Sequence, residues 1–186
     1  MTTHPQPRTF TADEFIAWAL LQPRGRFELV GGEVVAMAPE RIEHARAKLA
    51  VVNALGAAIA DARLGCEAMV DGVSVRIDDR TVYEPDVLVR CGERSPGAAT
   101  EVADPVILVE VVSPSTRAVD SGAKLTDYFR LPSLRHYLIV NLQARAVAHH
   151  RLEDDGAIAT RILRAGRLAL EPPGISVAVE AFFASL

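Results

Sequence analysis

The first forty residues carry a hydrophobic and polar pattern that predicts a short helix followed by a hairpin. Thr11 and Glu14 have the spacing of a capping box, which pairs the backbone donors at the start of a helix. The helix should end before Pro23, because proline disfavours the helical conformation in the residue ahead of it. Residues 26–30 and 33–37 are rich in apolar side chains and flank a Gly-Gly pair, a pattern typical of a tight β-hairpin.

A longer helix is predicted over residues 40–63, where apolar residues recur at steps of three and four. That spacing places them on one side of a helix and makes it amphipathic. The apolar face predicted in this way consists of Ile42, Ala45, Leu49, Val52 and Ile59.

The middle of the chain predicts short strands. Residues 67–70 and 73–77 flank an Asp-Gly turn and should form a second hairpin. Two apolar strands follow at residues 87–89 and 106–112, and the polar segment 91–104, which contains Gly and Pro, should be an exposed loop between them. The second of these strands is apolar on both faces apart from one acid, the pattern of a central strand that is covered on both sides.

The last third of the chain predicts one more helix and several further strands. Ser115 or Thr116 can cap a helix over residues 117–130, and a strand follows at residues 136–142. The remaining apolar runs have the pattern of edge strands joined by polar turns, at residues 147–152, 158–163, 168–170 and 175–179.

These elements predict one domain over residues 1–186, of mixed α and β class. Its core should be a mixed β-sheet flanked by helices, with additional antiparallel hairpins. We find neither an internal repeat nor a linker that would divide the chain. A length of 186 residues with 49% hydrophobic side chains is enough for one substantial core.

Composition limits the ways in which this chain could bind nucleic acid. A net charge of -4 lacks the global positive field of a tight, sequence-independent DNA binder. Aromatic residues make up only 5% of the chain, which disfavours a stacking platform for single strands. Any contact with nucleic acid should therefore come from a local patch.

The two cysteines and the hydropathy pattern favour a cytoplasmic protein. Cys66 and Cys91 are too few and too far apart in sequence to suggest a disulfide framework or a zinc site. The polar segment 1–10 and the lack of a long apolar run predict neither secretion nor membrane spanning.

Glu110 is the first candidate for chemistry, because it interrupts the predicted central strand. Burying an ionised carboxylate costs several kcal/mol unless a cation or hydrogen-bond donors compensate. Asp86 stands just before the neighbouring strand. Acids at adjacent strand positions can share a hard divalent cation such as Mg²⁺, which prefers oxygen ligands.

Lys124 can return to the level of Glu110 if its helix folds back along the strand. Glu110 to Ser113 spans about 10 Å at the rise of a strand, and Thr116 to Lys124 covers about 12 Å in the opposite direction as a helix. The lysine could then orient the attacking water or neutralise charge on a phosphate. Two acids, a metal and a lysine together predict phosphodiester hydrolysis.

Structural roles remain open for the same residues. Asp120 and Lys124 are four apart and could form an exposed ion pair on the helix. Asp86 could be a strand-end acid that accepts backbone hydrogen bonds. Lys48 follows His44 by four residues and could extend a phosphate-contacting patch, although the pattern favours a solvated lysine.

His149 and His150 are adjacent and do not form a convincing metal pair. Neighbouring residues of a strand point to opposite faces, so both rings cannot easily bind one ion.

Several motifs, taken together, resemble the Uma2 family, also called DUF820. The resemblance covers roughly residues 9–152 and rests on the segments 27–33 (FELVGGE), Glu43 with His44, 84–89 (EPDVLV) and 109–116 (VEVVSPST), followed by Asp120, Lys124 and Tyr128. This family is assigned to the PD-(D/E)XK nuclease superfamily. The resemblance therefore implies a restriction-endonuclease-like fold, a mixed sheet flanked by helices, with a magnesium-dependent acid cluster.

The resemblance implies a role for each matching position. Asp86 would be the first metal-ligating acid and Glu110 the second, and Val111 would add its backbone carbonyl. The superfamily's usual lysine lies two residues after the second acid, where this chain has Val112. Lys124 matches the relocated lysine that is typical of this family.

Glu33 and His44 match further polar positions of the family. Glu33 would be an acid of the metal shell and His44 a contact to phosphate or water, although Glu33 can equally be an exposed hairpin residue and His44 a surface residue.

The resulting hypothesis is an endonuclease that cuts DNA with Mg²⁺ or Mn²⁺ and acts as a homodimer. The dimer is expected by analogy alone. Two alternatives stay open. One is a non-catalytic module that keeps the nuclease fold and binds protein or nucleic acid, and the other is a metal-dependent enzyme on RNA or another phosphodiester.

Overall fold

The structure, a computed structural model, describes residues 9–112 and 120–184. Within these ranges the helices are α1 (Ala12–Ala19), α2 (Ile42–Asp61), α3 (Asp120–Tyr128) and a 3-10 helix at Val179–Phe183. The strands are β1 (Phe27–Val30), β2 (Glu33–Ala36), β3 (Cys66–Val70), β4 (Val75–Asp78), β5 (Thr81–Tyr83), β6 (Val87–Cys91), β7 (Pro105–Val112), β8 (His136–Asn141), β9 (Ala146–Leu152), β10 (Ile158–Leu163), β11 (Arg167–Leu170) and β12 (Ile175–Ala178). The cap predicted for α3 at Ser115 or Thr116 lies outside the described residues.

A six-stranded mixed sheet in the order β10-β9-β8-β7-β6-β3 forms the centre of the fold. β7 and β8 are parallel, and the other neighbours are antiparallel. Alternate residues of β7 face opposite sides: Val109 packs with α2, whereas Leu108 packs with Tyr128 of α3. The predicted mixed sheet flanked by helices is confirmed, and β7 is a central strand as expected.

A second, smaller antiparallel sheet has the strand order β2-β1-β5-β4. The predicted β1–β2 hairpin is confirmed, with Val30 paired to Glu33 across the turn. The predicted capping box is also present, since Thr11 and Glu14 exchange hydrogen bonds at the start of α1. Phe15 of α1 covers Leu29 of β1 and Val82 of β5.

The second hairpin predicted from the sequence is wrong. β3 pairs with β6 and β4 pairs with β5, so the two strands flanking Asp71 and Gly72 belong to different sheets. Both residues of this link have positive φ angles, 40° and 71°, a conformation that suits Gly and is tolerated by Asp. The Asp-Gly pair therefore turns the chain from one sheet to the other, a use that the local pattern could not distinguish from a hairpin.

The apolar face predicted for α2 is wrong in part: Ile59 and Val52 do pack on the core, whereas other predicted residues do not. Ile42 and Leu49 are 73% and 57% exposed. The face that packs on the main sheet is carried by smaller side chains such as Ala47 and Val51, with Leu55 and Ile59. Because small residues let the helix approach the sheet closely, they form the interface even though the larger apolar side chains mark another stripe.

The C-terminal strands do not all lie at sheet edges. β9 is an interior strand between β8 and β10, and β11 and β12 form a separate hairpin. Residues of that hairpin, including Leu168 and Val177, share the core of α2 and the main sheet. The prediction of edge strands is therefore wrong for β9 and confirmed for β10, which forms one edge of the main sheet.

Cys66 and Cys91 form a disulfide, contrary to the sequence-based expectation. They stand opposite one another in the antiparallel pair of β3 and β6. Their separation of 25 residues along the chain is bridged by strand pairing, which sequence distance alone does not reveal. The expectation of a reducing compartment loses this part of its support. Among the described residues, no helix is long and apolar enough to cross a membrane.

Candidate functional site

Strand pairing brings Asp86 and Glu110 to neighbouring positions of the main sheet. Val87 of β6 pairs with Val109 of β7, so Asp86 and Glu110 each lie one residue beyond this pair. The Asp86 carboxylate contacts His44 and Lys48 of α2, whereas the Glu110 carboxylate contacts α3. The two acids are near enough for the charge of Asp86 to raise the pKa of Glu110. The backbone N–H of Val111 also donates a 2.7 Å hydrogen bond to Asp86 Oδ2, which fixes the carboxylate against β7.

Asp86 is buried and held in its ionised form by three neighbours. His44 Nε2 lies 3.2 Å from Oδ2, and Lys48 Nζ lies 3.5 Å from Oδ1. Burial by itself would raise the pKa of Asp86, but the hydrogen bonds from His44 and Val111 and the charge of Lys48 hold the pKa below its ordinary value. The backbone hydrogen bond expected of a strand-end acid is present, because the N–H of Val111 donates to Asp86. Asp86 also contacts His44 and Lys48, which a purely structural role does not require.

Glu110 has the opposite electrostatic character. Its Oε1 accepts hydrogen bonds from Lys124 Nζ at 3.0 Å and from the Tyr128 hydroxyl at 2.8 Å. Burial raises the pKa of Glu110 to about 8, and although Lys124 opposes this, the charges of Asp86 and Glu28 add to it. At neutral pH this carboxyl therefore holds a proton much of the time.

Lys124 lies where the length estimate placed it, beside Glu110. Its ammonium contacts Glu28 Oε1 at 2.9 Å as well as Glu110 Oε1, and it lies 5.2 Å from the ring centre of Tyr83. With only 4% of its surface exposed, Lys124 is a buried cation, whereas the sequence also allowed an exposed position on the helix.

Lys48 is buried as well, so the expectation that it is solvated is wrong. Only 1% of its surface is exposed. Its Nζ contacts carboxylate oxygens of Glu40, of Asp71 at 2.6 Å and of Asp86 at 3.5 Å. On α2, Lys48 follows His44 by one turn, and this places both side chains on the face toward Asp86.

Glu33, in contrast, is not part of this cluster. It is exposed at the first position of β2, and among the described residues no hydrogen bond or ion pair joins it to Asp86, Glu110 or Lys124. The acid that the hairpin does contribute is Glu28, which pairs with Val35 further from the turn and is buried. Sequence reasoning preferred the acid next to the glycines, whereas the strand register brings the other one inward.

Asp71 and Glu84 extend the acid cluster through Arg26. The guanidinium of Arg26 contacts Asp71 Oδ1 at 2.7 Å and Glu84 Oε1 at 2.8 Å. Glu84 Oε1 also accepts the backbone N–H of Gly72, which ties the link between the two sheets to the strand that leads to Asp86. The signal for these residues in the sequence was the Glu-Pro-Asp and Asp-Gly segments, although neither segment alone indicates an ion network.

The cluster as a whole holds more acids than bases. Its carboxylates belong to Glu28, Glu40, Asp71, Glu84, Asp86 and Glu110. Its lysine and arginine groups belong to Arg26, Lys48 and Lys124. Among the residues that the structure describes, six carboxylates against three such cations leave an excess of negative charge around Asp86, even when Glu110 is protonated. This excess favours an additional cation at the site.

His149 and His150 contribute nothing to this cluster, in agreement with the opposite faces expected of adjacent strand residues. His149 Nε2 lies 2.9 Å from Nδ1 of His136, whose Nε2 lies 2.9 Å from the carbonyl of Pro172. His150 instead contacts the Thr160 hydroxyl and stacks on Tyr137. The two rings thus have separate partners.

Comparison with known proteins identifies similar sequences and a similar fold. The model of the Uma2 family, described as "Putative restriction endonuclease", matches residues 12–182. An uncharacterized protein of Synechocystis sp. is 28% identical over 188 residues, which cover 98% of this chain and 95% of that protein. A second uncharacterized Synechocystis protein is 25% identical over 137 residues, or 72% of this chain and 76% of that one.

Among solved structures, the crystal structure of a "putative nuclease belonging to DUF820" from Anabaena variabilis has the same fold. Its TM-score is 0.71 at 15% sequence identity, and the match covers 94% of this chain and 98% of that one. The sequence motifs predicted a restriction-endonuclease-like mixed sheet, and the similarity to this DUF820 structure agrees with that prediction.

Proposed function

The chain belongs to the Uma2 family, and we propose that it is a magnesium-dependent endonuclease that hydrolyses phosphodiester bonds in DNA. One observation carries the proposal: the Asp86 carboxylate is held against β7 by the N–H of Val111, the residue after Glu110, and the buried Lys124 contacts Glu110. Paired carboxylates with an adjacent lysine suit the binding of a divalent ion next to a phosphate.

The residues present fit such an ion. Asp86 and Glu110 would supply carboxylate oxygens, which Mg²⁺ and Mn²⁺ prefer, and Val111 would supply its backbone carbonyl. The N–H and C=O of one strand residue point toward the same neighbour, and the N–H of Val111 points at Asp86. The excess of acids over bases in the cluster would be reduced by a divalent charge.

When bound, the ion would polarise a phosphoryl oxygen and acidify a water molecule. The protein's own groups prepare the rest of the site. Tyr128 and Lys124 fix the orientation of Glu110. The ammonium of Lys124 can also turn toward the attacking water or toward the charge that develops on the phosphate. His44, which is half-buried beside Asp86, can hold a phosphate oxygen or a water.

DNA as the substrate, the homodimer and the cytoplasm belong to the same proposal. The family description supports a nucleic-acid substrate, and the dimer rests on analogy with restriction-type nucleases. In the cytoplasm, reducing conditions would keep Cys66 and Cys91 largely as thiols, so the proposed activity should not depend on their disulfide.

The test is cleavage of supercoiled DNA in the presence of Mg²⁺ or Mn²⁺. We expect the wild type to nick this substrate and Asp86→Asn and Glu110→Gln each to lose at least a hundredfold in rate, since loss of electrostatic stabilisation at a catalytic site costs factors of about 10² to 10³. Asp61→Asn, an exposed acid-to-amide change at the end of α2, is the matched control and should retain full activity. Equal rates for Asp86→Asn and the wild type would refute the assignment.

One observation favours a second candidate, a binding module without catalysis. Lys48 and Lys124 already form ion pairs with Asp86 and Glu110, so the acids have internal partners without a metal. Such a module would bind no divalent ion at these residues, and metal binding therefore separates it from the nuclease.

A further inference from the structure

The ammonium of Lys48 is a buried cation in the middle of an acid cluster. It lies on α2 with 1% of its surface exposed. Burying a lone charge is costly, and here the carboxylates of Glu40, Asp71 and Asp86 compensate.

Three of the neighbouring groups form a possible ligand set. One ligand atom each from Glu40, His44 and Asp86 lies within 4.8 Å of the other two. His44 Nε2 is 3.2 Å from Asp86 Oδ2 and 3.8 Å from Glu40 Oε1. Two carboxylates and an imidazole suit a first-row transition ion such as Mn²⁺ better than Mg²⁺, because the imidazole nitrogen is a softer ligand.

The ammonium and a metal would compete for the same oxygens. Lys48 Nζ contacts Glu40 and Asp86, which are two of the three ligands. Its third contact is Asp71, which stands outside the ligand set and is also paired with Arg26. Asp71 can therefore keep the ammonium when the other two carboxylates turn to an ion.

We propose that Glu40 and His44 join Asp86 in binding a divalent transition-metal ion, and that the ammonium of Lys48 is the cation this ion displaces from Glu40 and Asp86. The inference rests on the proposed function in sharing Asp86, but it requires only metal binding and no DNA cleavage. Lys48 then lowers the affinity of the site, so that the metal binds only where its concentration is high enough to displace the internal cation.

The first experiment compares Mn²⁺ affinities, measured from the electron paramagnetic resonance signal of free Mn²⁺ in titrations of the full chain. Lys48→Met keeps the length of the side chain and removes its charge, and we expect it to bind Mn²⁺ at least tenfold more tightly than the wild type. Arg26→Met is the matched control, since it removes one positive charge from the same network without contact to the three ligands. It should change the affinity by less than threefold.

The result that would overturn the competition is a Lys48→Met affinity no tighter than that of Arg26→Met. Absence of Mn²⁺ binding by both the wild type and Lys48→Met would overturn the whole inference. Glu40→Gln keeps the test decisive if Lys48→Met fails to fold, because Glu40 is exposed. This variant should weaken Mn²⁺ binding at least tenfold, and an unchanged affinity would remove Glu40 from the ligand set.

Pulsed electron paramagnetic resonance tests the histidine directly. Bound Mn²⁺ should show coupling to a ligand nitrogen in the wild type, and His44→Gln should abolish that coupling. Bound Mn²⁺ without nitrogen coupling in the wild type would contradict the proposal. Cleavage of supercoiled DNA by the same samples separates the two proposals, since a protein that binds Mn²⁺ through His44 and cuts no DNA refutes the nuclease alone.

Discussion

At the scale of single residues, Tyr128 is one of several groups that influence the protonation of Glu110. Its hydroxyl donates a hydrogen bond to Glu110 Oε1 at 2.8 Å. This hydrogen bond lowers the pKa of Glu110, although burial and the nearby charges have larger effects on it. A metal ligand must be deprotonated. A substitution that raises the pKa of Glu110 should therefore weaken metal binding near neutral pH. At higher pH, where Glu110 is ionised in any case, metal binding should be unchanged.

Tyr128→Phe should shift the pH dependence of Mg²⁺-dependent cleavage upward. The substitution removes a hydrogen bond that lowers the pKa, so the pKa rises further above about 8 and less of the acid is ionised at pH 7. We expect a loss of several-fold at pH 7 under limiting Mg²⁺, and recovery toward the wild-type rate at pH 9. Cleavage rates across this pH range measure the effect.

Tyr83→Phe is the control for this prediction, because the Tyr83 hydroxyl donates to Asp127 and not to Glu110. It should leave the pH profile in place. A Tyr128→Phe profile that coincides with that of Tyr83→Phe would show that Glu110 does not limit activity.

Single residues were predictable where an unusual residue type met a strong pattern. Glu110 was identifiable because a lone acid interrupts an apolar run, and Lys124 because helix and strand rises bring it back along the strand. Lys48 and Glu28 were not identifiable in this way. Whether a residue on a helix or hairpin faces inward depends on which stripe packs against the sheet, and that is decided by partners distant in sequence.

At the scale of elements, His136 and His149 connect β8 and β9 to the segment that contains Pro172. The Pro172 carbonyl accepts a hydrogen bond from His136 Nε2–H, so the unprotonated Nδ1 of this ring accepts a hydrogen bond from His149 Nε2–H. Both contacts are satisfied by neutral rings. Burial lowers the pKa of His136 to about 4 and that of His149 to about 4, the latter with the help of neighbouring cationic groups.

The histidine pair should make stability depend on acid. An unfolded histidine titrates near its ordinary pKa of about 6.5, so the stability that the neutral pair contributes is fully present above that pH. This stability is lost as the pH falls toward about 4, the pKa of both histidines in the folded protein. In this range the histidines of the unfolded chain bind protons, whereas those of the folded chain stay neutral.

His149→Leu tests this dependence through urea unfolding at several pH values. At pH 7.5 the variant should be less stable by about 1 to 3 kcal/mol, because Nδ1 of His136 loses its donor. Between pH 7.5 and 4.5 its unfolding free energy should fall less than that of the wild type. The two proteins share all other titrating groups, so parallel curves would contradict the role of the pair.

The same scale shows where local patterns fail to determine pairing. The hairpin of β1 and β2 followed from its Gly-Gly turn, and the helix α1 from its capping box. The Asp-Gly link between β3 and β4 has an equally strong turn signal but connects two sheets. The turn residues specify a local backbone conformation, whereas the pairing of β3 with β6 is specified by contacts with a strand about twenty residues further along the chain.

At the scale of the whole molecule, charge decides how DNA could approach. The net charge is -4, and the acid cluster adds a local excess of negative groups. Phosphate groups of DNA should therefore be repelled until a divalent ion is bound. We expect weak binding of duplex DNA in EDTA and at least tenfold tighter binding in Ca²⁺, an ion that can occupy carboxylate sites without supporting the usual Mg²⁺ geometry.

Fluorescence anisotropy of a labelled duplex at constant ionic strength measures this difference. Asp86→Asn provides the comparison, because it removes one negative charge and one ligand. It should bind DNA slightly better than the wild type in EDTA and gain little from Ca²⁺. Equal enhancement by Ca²⁺ in both proteins would place the ion elsewhere.

The pairing of Asp86 with Glu110 as a divalent-metal site is the central claim, and calorimetric titration of Mg²⁺ and Mn²⁺ tests it most directly. The wild type should bind at least one ion, and both Asp86→Asn and Glu110→Gln should lose that binding while keeping the unfolding temperature of a folded protein. A wild type that binds neither ion at millimolar concentrations, or a Glu110→Gln variant that binds as well as the wild type, would contradict the claim.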